Sequence, residues 1–164
     1  MNIIFFGTPY FSAYSLTEII KSNYKVISVV TKPDTKKGRG RKILPSEVKK
    51  TAIANNIEIL EPSNLNDINF LAKLQGFKAD LFVIIAFEKL PETVWKIAKK
   101  GAINLHTSLL PEYRGSAPIN RVIINGEKDT GITTFYINDK IDTGDIIMQK
   151  KISLTDKITA AQLH

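Results

Sequence analysis

Apolar and polar positions along the chain follow two different periods, which predict alternating strands and helices. Continuous or alternating apolar runs are typical of strands. They occur at residues 2–6 (NIIFF), 26–32, 57–60, 79–87, 101–110, 131–137 and 145–152. Apolar residues three or four positions apart predict helices over 10–21, 46–56, 66–76, 91–100 and 117–125. Strands that alternate with helices indicate an α/β fold, here a Rossmann-like, doubly wound, mostly parallel sheet.

The last two predicted strands depart from this alternation. Only residues 138–144 (NDKIDTG) separate them, which is too short for a helical crossover and favours an antiparallel return. The sheet is therefore expected to have an antiparallel edge. Residues 155–164 (TDKITAAQLH) are typical of a capped helix that has just begun. We accordingly expect one domain over residues 1–164, truncated at its C-terminal end.

Two breaks in the pattern lie beside predicted strands. The G-T-P turn at residues 7–9 precedes a helix, and a helix N-terminus there can hold a phosphate. The full G-x-G-x-x-G fingerprint is absent, so a tight strand-to-helix turn is favoured over a phosphate contact. Residues 33–45 (PDTKKGRGRKILP) contain two prolines and two glycines and predict a long loop, after which Ser46 can cap a helix.

The composition narrows the chemistry that is available. With 43% hydrophobic residues in 164, the chain can bury a core. It has neither a run of about 18 apolar residues that could span a membrane nor the basic start of a signal peptide, so we expect a cytoplasmic protein. The absence of cysteine excludes disulfides and thiolate nucleophiles, and two histidines predict no metal site. His106 is the only imidazole away from the chain end.

The net charge of +7 is concentrated in one segment. Residues 32–50 hold eight basic residues against two acidic ones, whereas the rest of the chain is nearly neutral. A solvated charge run is the usual meaning of such a segment. The flexible R-G-R sequence among so many cations nevertheless favours contact with the phosphates of an RNA backbone.

Asn104 and His106 point to the same face of the predicted strand 101–110, because side chains two residues apart share a face. An amide and an imidazolium can both donate to an oxyanion that forms on a tetrahedral carbon. Asp142, in the loop between the last two strands, would favour the charged ring and take up protons. A core histidine with satisfied hydrogen bonds remains the alternative, because Asn-x-His is a short pattern. With no cysteine and no G-x-S-x-G elbow, direct transfer between two bound substrates is the simpler scheme.

Several segments of the chain resemble the folate-dependent formyltransferases. Residues 101–123 (GAINLHTSLLPEYRGSAPINRVI) resemble the signature of that family, and residues 141–147 (IDTGDII) resemble its aspartate loop. The similarity runs over essentially the whole chain, from IIFFGTPYFS (3–12) through the basic segment. The basic loop and APINRVI (117–123) narrow the resemblance to the members that act on methionyl-tRNA.

The resemblance implies transfer of the formyl group of 10-formyltetrahydrofolate, a cosubstrate, to the methionine of initiator methionyl-tRNA by a monomer that needs no metal. It places Asn104, His106 and Asp142 at the catalytic positions. The tetrahydrofolate-binding segment of the family falls on Ser108, Leu109, Leu110 and Pro111, and residues 86–91 match a wall of the pterin pocket. Contacts to the acceptor end of the tRNA fall on Lys36, Lys37, Arg39, Arg41 and Lys42.

The chain also departs from the family. Phe87 and Glu88 stand where many members have Tyr-Gly, and Ser116 stands where Ala is frequent. The family continues with the rest of the transferase domain and a C-terminal β-barrel, which are absent from this sequence.

Two other functions remain open. A formyltransferase that acts on glycinamide ribonucleotide or an amino sugar would share the Asn-His-Asp group but has no evident need for the basic loop. A non-catalytic RNA-binding α/β module would use the polar pair only as structure. Salt-sensitive tRNA binding would distinguish an enzyme that acts on methionyl-tRNA from the first alternative. Folate binding would distinguish it from the second.

Overall fold

The apolar runs form strands in a computed structural model, which describes residues 1–37, 42–155 and 157–164. The strands are Asn2–Gly7 (β1), Lys25–Val30 (β2), Thr35–Lys37 (β3), Lys42–Leu44 (β4), Glu58–Leu60 (β5), Leu81–Ile85 (β6), Ala102–His106 (β7), Asp129–Tyr136 (β8) and Ile146–Ser153 (β9).

Seven of the described strands form one mixed sheet in the order β5-β2-β1-β6-β7-β8-β9, and β3 and β4 form a separate pair. Parallel pairing joins β1 to β2 and to β6, and also joins β2 to β5. Antiparallel pairing joins β7 to β8 and β8 to β9. The predicted α/β fold, a mostly parallel sheet with an antiparallel edge, is confirmed.

The helices lie within or close to the predicted ranges. They are Tyr10–Lys21 (α1), Glu47–Ala54 (α2), Ile68–Gly76 (α3), Glu92–Trp95 (α4), Pro118–Ile124 (α5) and Ala160–Leu163 (α6). The predicted cap of α2 is confirmed, because the Ser46 hydroxyl accepts a hydrogen bond from the backbone N–H of Lys49 at 3.0 Å. Among the helices of the described ranges, none has the length and apolar character needed to cross a membrane.

The chain divides into two compact units, Met1–Ala102 and Ile103–His164. In the first unit the core is centred on β1 and β6, because every residue of β6 and all but the first residue of β1 are buried. The rings of Phe6 and Phe82, both 0% exposed, lie with their centroids 5.1 Å apart. Strands buried on both faces explain the continuous apolar runs of the sequence.

The G-T-P turn is a packing feature of the first unit. A Cβ atom on Gly7 would lie 2.7 Å from the Cβ of Ser12 and 3.0 Å from the carbonyl oxygen of Ile85. The buried Ser12 hydroxyl donates a hydrogen bond of 2.6 Å to that carbonyl. Only glycine lets α1 begin this close to β6, and the predicted tight turn is confirmed.

The prediction of one long loop over residues 33–45 is wrong. Strands β3 and β4 pair antiparallel within it, with Thr35 opposite Leu44 and Lys36 opposite Ile43. Three-residue strands carry too few positions to show alternation, and their lysines resemble the composition of a loop.

The prediction of a helix over residues 91–100 is wrong beyond α4. The backbone N–H of Lys99 donates to the carbonyl of Ala79 at 3.3 Å, and that of Lys100 donates to the carbonyl of Asp80 at 2.7 Å. A helix would instead use carbonyls four residues back. These long-range bonds tie the segment to the residues before β6 and end the helix early.

The second unit holds the antiparallel strands and differs from its predicted bounds at two places. The strand predicted over residues 101–110 ends at His106, so residues 107–110 lie outside the sheet. The helix predicted over 155–164 begins only at Ala160, where Thr159 and Gln162 form a capping box.

We expect Phe82→Ala to lower the free energy of unfolding by about 3–5 kcal/mol, because it opens a cavity between β1 and its neighbours. Urea denaturation followed by circular dichroism measures the change. Ile68→Ala is the matched control: Ile68 is 77% exposed, so its loss should change the free energy by no more than about 0.5 kcal/mol. Equal effects of the two substitutions would contradict the assignment of the core.

Candidate active site

Strand β7 brings the predicted amide and imidazole to its carboxyl end. Asn104 and His106 lie two residues apart on the strand and therefore share a face. In the antiparallel ladder Asn104 pairs with Phe135 and His106 pairs with Thr133. His106 is only 7% exposed, so its ring nitrogens need partners from the protein or from a bound molecule.

The His106 ring lies between a carbonyl group and a carboxylate. Its Nε2 is 2.9 Å from the carbonyl oxygen of Tyr113, and its Nδ1 is 3.6 Å from Oδ2 of Asp142. A carbonyl oxygen can only accept, so Nε2 carries a proton in this arrangement. A second proton, which makes the ring an imidazolium, would be placed at Nδ1 and would face the carboxylate of Asp142.

The carboxylate of Asp142 is itself held by the loop that follows β7. Its Oδ2 accepts a hydrogen bond of 2.8 Å from the backbone N–H of Gly115. The backbone carbonyl oxygen of Asp142 accepts another, of 2.8 Å, from Nε of Arg114. Asp142 has a φ of +51°, a conformation that aspartate tolerates better than most residues. Its side chain is 11% exposed, so few solvent molecules compete for the carboxylate.

The turn that carries Asp142 depends on a glycine. A Cβ atom on Gly144 would lie 1.5 Å from the carbonyl oxygen of Tyr136, so no other residue fits without opening the turn. Asn138 closes the same loop, because its Oδ1 accepts from the backbone N–H of Lys140 and from the hydroxyl of Thr143, each at 3.0 Å.

The predicted folate segment forms a turn directly after β7. Ser108 is 0% exposed and Leu110 is 6% exposed. The hydroxyl of Ser108 donates to the carbonyl of Glu112 at 2.6 Å. Leu109 packs over Gly131, where a Cβ would lie 2.6 Å from the Leu109 side chain. The segment ends at Pro111, which follows a cis peptide bond.

Two residues that sequence reasoning missed hold this turn. The buried hydroxyl of Thr133 donates to the carbonyl of Ser108 at 2.7 Å and accepts from the backbone N–H of Leu110 at 3.1 Å. The side-chain amide of Gln149 donates to the carbonyl of Leu110 at 2.8 Å and to the Thr133 hydroxyl at 3.0 Å. The one signal in the sequence was a polar residue, Thr133, at an inward position of an alternating strand.

Three of the predicted tRNA contacts lie in the antiparallel pair of strands β3 and β4, which we call the basic hairpin. Lys36 and Lys37 lie in β3, and Lys42 lies in β4. Arg39 and Arg41 lie outside the described residues.

The chain is similar in sequence to proteins of known family. A family model described as "Formyl transferase" matches residues 1–164. A methionyl-tRNA formyltransferase from Flavobacterium johnsoniae is 51% identical over 164 residues, an alignment that covers 100% of this chain and 52% of that protein. The corresponding protein of Clostridioides difficile is 47% identical over 165 residues and is covered to 53%. The chain thus spans about half the length of these relatives.

Solved structures share the fold at lower identity. A phosphoribosylglycinamide formyltransferase from Bacillus halodurans superposes with a TM-score of 0.80 at 19% identity, covering 99% of this chain and 85% of that one. A sugar 3N-formyl transferase, solved in the presence of dTDP and 5-N-formyl-THF, gives a TM-score of 0.69 at 26% identity and covers 99% and 56%. At 19% identity the first likeness concerns the fold alone.

We expect Gly144→Ala to lower the free energy of unfolding by about 1–3 kcal/mol or more, because the added methyl group overlaps the Tyr136 carbonyl. Urea denaturation measures the loss. Gly76→Ala is the matched control, since a Cβ at Gly76 meets nothing within 4 Å and alanine favours the helix. If the two substitutions were equally tolerated, the turn would not require a glycine.

Proposed function

Because the chain belongs to the formyl transferase family, we propose that it forms part of an enzyme that formylates initiator methionyl-tRNA for translation initiation. The formyl group comes from 10-formyltetrahydrofolate, and the acceptor is the α-amino group of the esterified methionine. The proposal is carried by the Asp142 carboxylate, which lies beside the His106 ring at the end of β7. The names of the relatives support this choice of acceptor. We propose this activity for the whole protein, because the relatives are about twice as long as this chain.

The proposed reaction is a direct acyl transfer. The free amine of methionine attacks the formyl carbon, and the carbonyl oxygen becomes an oxyanion on a tetrahedral carbon. The amide of Asn104 and the ring of His106 donate hydrogen bonds to this oxygen, which lowers the energy of the intermediate. The bond between the formyl carbon and the folate nitrogen then breaks, the attacking amine loses a proton, and the folate nitrogen gains one.

The geometry around His106 supports a separate role for each ring nitrogen. Nε2 donates to the Tyr113 carbonyl and orients the ring. The gap of 3.6 Å between Nδ1 and Asp142 exceeds an ordinary hydrogen bond, so the Nδ1 proton can be shared with a bound oxygen atom. Asp142 stabilises the charged ring and accepts protons, directly or through water.

Substrate binding is assigned to two surfaces. Ser108, Leu109, Leu110 and Pro111 seat the tetrahydrofolate, which acts as a cosubstrate, and the chemistry needs no metal. The tRNA is contacted by Lys36, Lys37 and Lys42 of the basic hairpin and by Arg39 and Arg41. We further propose that the protein is cytoplasmic and acts as a monomer.

We expect His106→Ala in the full-length protein to reduce kcat for formyl transfer by about 100-fold to 1,000-fold, because an oxyanion donor is lost. Formyl transfer to charged initiator tRNA measures the rate, and filter binding measures tRNA affinity, which should stay within about twofold. His164→Ala removes the other histidine and serves as the control. Near-normal turnover of His106→Ala would overturn the catalytic assignment.

We expect replacement of Arg39, Arg41 and Lys42 by glutamine to weaken tRNA binding and to flatten its salt dependence. Each phosphate contact that is lost reduces the slope of log K against log salt by about 0.7–0.9. Dissociation constants at several salt concentrations measure both effects. A variant with glutamine at Lys21 in α1, Lys73 in α3 and Lys96 directly after α4 controls for the change in net charge.

The same assays distinguish the alternatives. Formyl transfer to glycinamide ribonucleotide or to an amino sugar, with none to charged tRNA, would replace the proposed acceptor. A folded full-length protein that binds tRNA but no folate would be a non-catalytic RNA-binding module.

A further inference from the structure

A cluster of charged side chains lies at the base of the basic hairpin. Nζ of Lys49, in α2, is 2.8 Å from Oδ1 of Asp34 and 2.8 Å from Oε2 of Glu61. Asp34 directly precedes β3, and Glu61 directly follows β5. We call these three residues the hairpin clamp, because they join the start of the hairpin to a helix and to the end of a sheet strand.

A second link closes the same base. The hydroxyls of Thr31 and Ser46 are hydrogen-bonded at 2.7 Å, and both residues are buried. The backbone N–H of Thr31 also donates to the carbonyl of Leu60 at 3.0 Å. The Thr31–Ser46 bond therefore joins the end of β2 to the N-cap of α2, so the described segments that flank β3 and β4 are tied together at one place.

The hairpin side chains whose burial the structure describes pack little against the rest of the unit. Ile43 and Leu44 of β4 are 65% and 42% exposed, and Thr35 of β3 is exposed. A pair of strands that buries so little apolar surface gains little hydrophobic stabilisation against the rest of the unit. The described contacts that hold these strands therefore lie mainly at their base.

The clamp holds its charges partly buried. The Lys49 side chain is 19% exposed, and its hydrogen bond to Asp34, followed by that to Glu61, raises the pKa of its ammonium group above the ordinary value. At Lys49 the attraction therefore outweighs the cost of desolvation, and the clamp ties the base of the hairpin together. Within the described part of the chain, Oε1 of Glu61 is also buried without a hydrogen-bond partner.

The negative charges of the clamp bear on RNA binding. Asp34 and Glu61 place two negative charges beside a segment that we propose to bind the phosphates of RNA. By Coulomb's law alone these carboxylates oppose the approach of a polyanion. Any gain that these carboxylates bring to RNA binding would have to come from the position that they impose on the hairpin.

We propose that Asp34, Lys49 and Glu61 are positioning residues that hold the basic hairpin in the orientation required for RNA binding. The inference rests on the proposed function, since it assumes that the hairpin contacts tRNA. A hairpin held in advance loses less conformational entropy when RNA binds, so the clamp increases affinity although two of its members carry the unfavourable charge.

Asp34→Asn in the full-length protein tests the inference because the two explanations predict opposite signs. If charge alone mattered, removal of a carboxylate would tighten tRNA binding. If the clamp positions the hairpin, binding weakens by about 3-fold to 10-fold, while the salt slope stays that of the parent because no phosphate contact is lost. Titration of charged initiator tRNA at several salt concentrations measures both quantities.

Glu47→Gln is the matched control. It removes one carboxylate from the same segment, but Glu47 pairs with the exposed Lys50 outside the clamp, so tRNA binding should be unchanged or slightly tighter. Lys49→Arg should retain most of the affinity, and Lys49→Met should not. If Asp34→Asn fails to fold, Glu61→Gln is expected to give the same weakening.

The outcomes separate this inference from the proposed function. Tighter or unchanged tRNA binding by Asp34→Asn or Glu61→Gln, with a parent that binds and formylates tRNA normally, would overturn the clamp alone. A parent that binds tRNA without formylating it would overturn the proposed activity and leave the clamp measurable by binding. A parent that binds no tRNA would overturn both.

Discussion

The antiparallel pairing of β8 with strands on both of its sides is the interaction on which the candidate site depends. Its register with β7 sets Thr133 opposite His106, and its register with β9 sets Thr133 opposite Gln149. The same pairing brings the turn after Tyr136 back toward β9 and so carries Asp142 to the histidine. A shift of one residue would turn every one of these side chains to the other face.

Backbone constraints do as much as side chains to build this geometry. The turn before β9 closes against the Tyr136 carbonyl because Gly144 has no Cβ. The loop after β7 in turn supplies a backbone N–H, at Gly115, that holds the carboxylate. The proposed catalytic group consists of three side chains, but main-chain contacts around them set the position of Asp142.

Much of this organisation could be predicted from the sequence. The buried strands are recognisable as apolar runs, because a strand that is covered on both faces carries few polar side chains. Asn104 and His106 were predicted to share a face from their spacing, and the structure confirms it. The prediction missed the basic hairpin because its strands are too short to show a period. It also missed the end of α4, because that end depends on hydrogen bonds to residues about twenty positions earlier.

The α/β class, the strand that carries the histidine and the segment where positive charge accumulates can be read from the sequence, because each depends on residues that are near neighbours in the chain. Three contacts became visible in the folded chain alone: Asp142 beside His106, Thr133 and Gln149 on the following turn, and Lys49 between Asp34 and Glu61. These contacts join residues far apart in the sequence. Strand register and loop closure bring them together, and no local pattern encodes either of these.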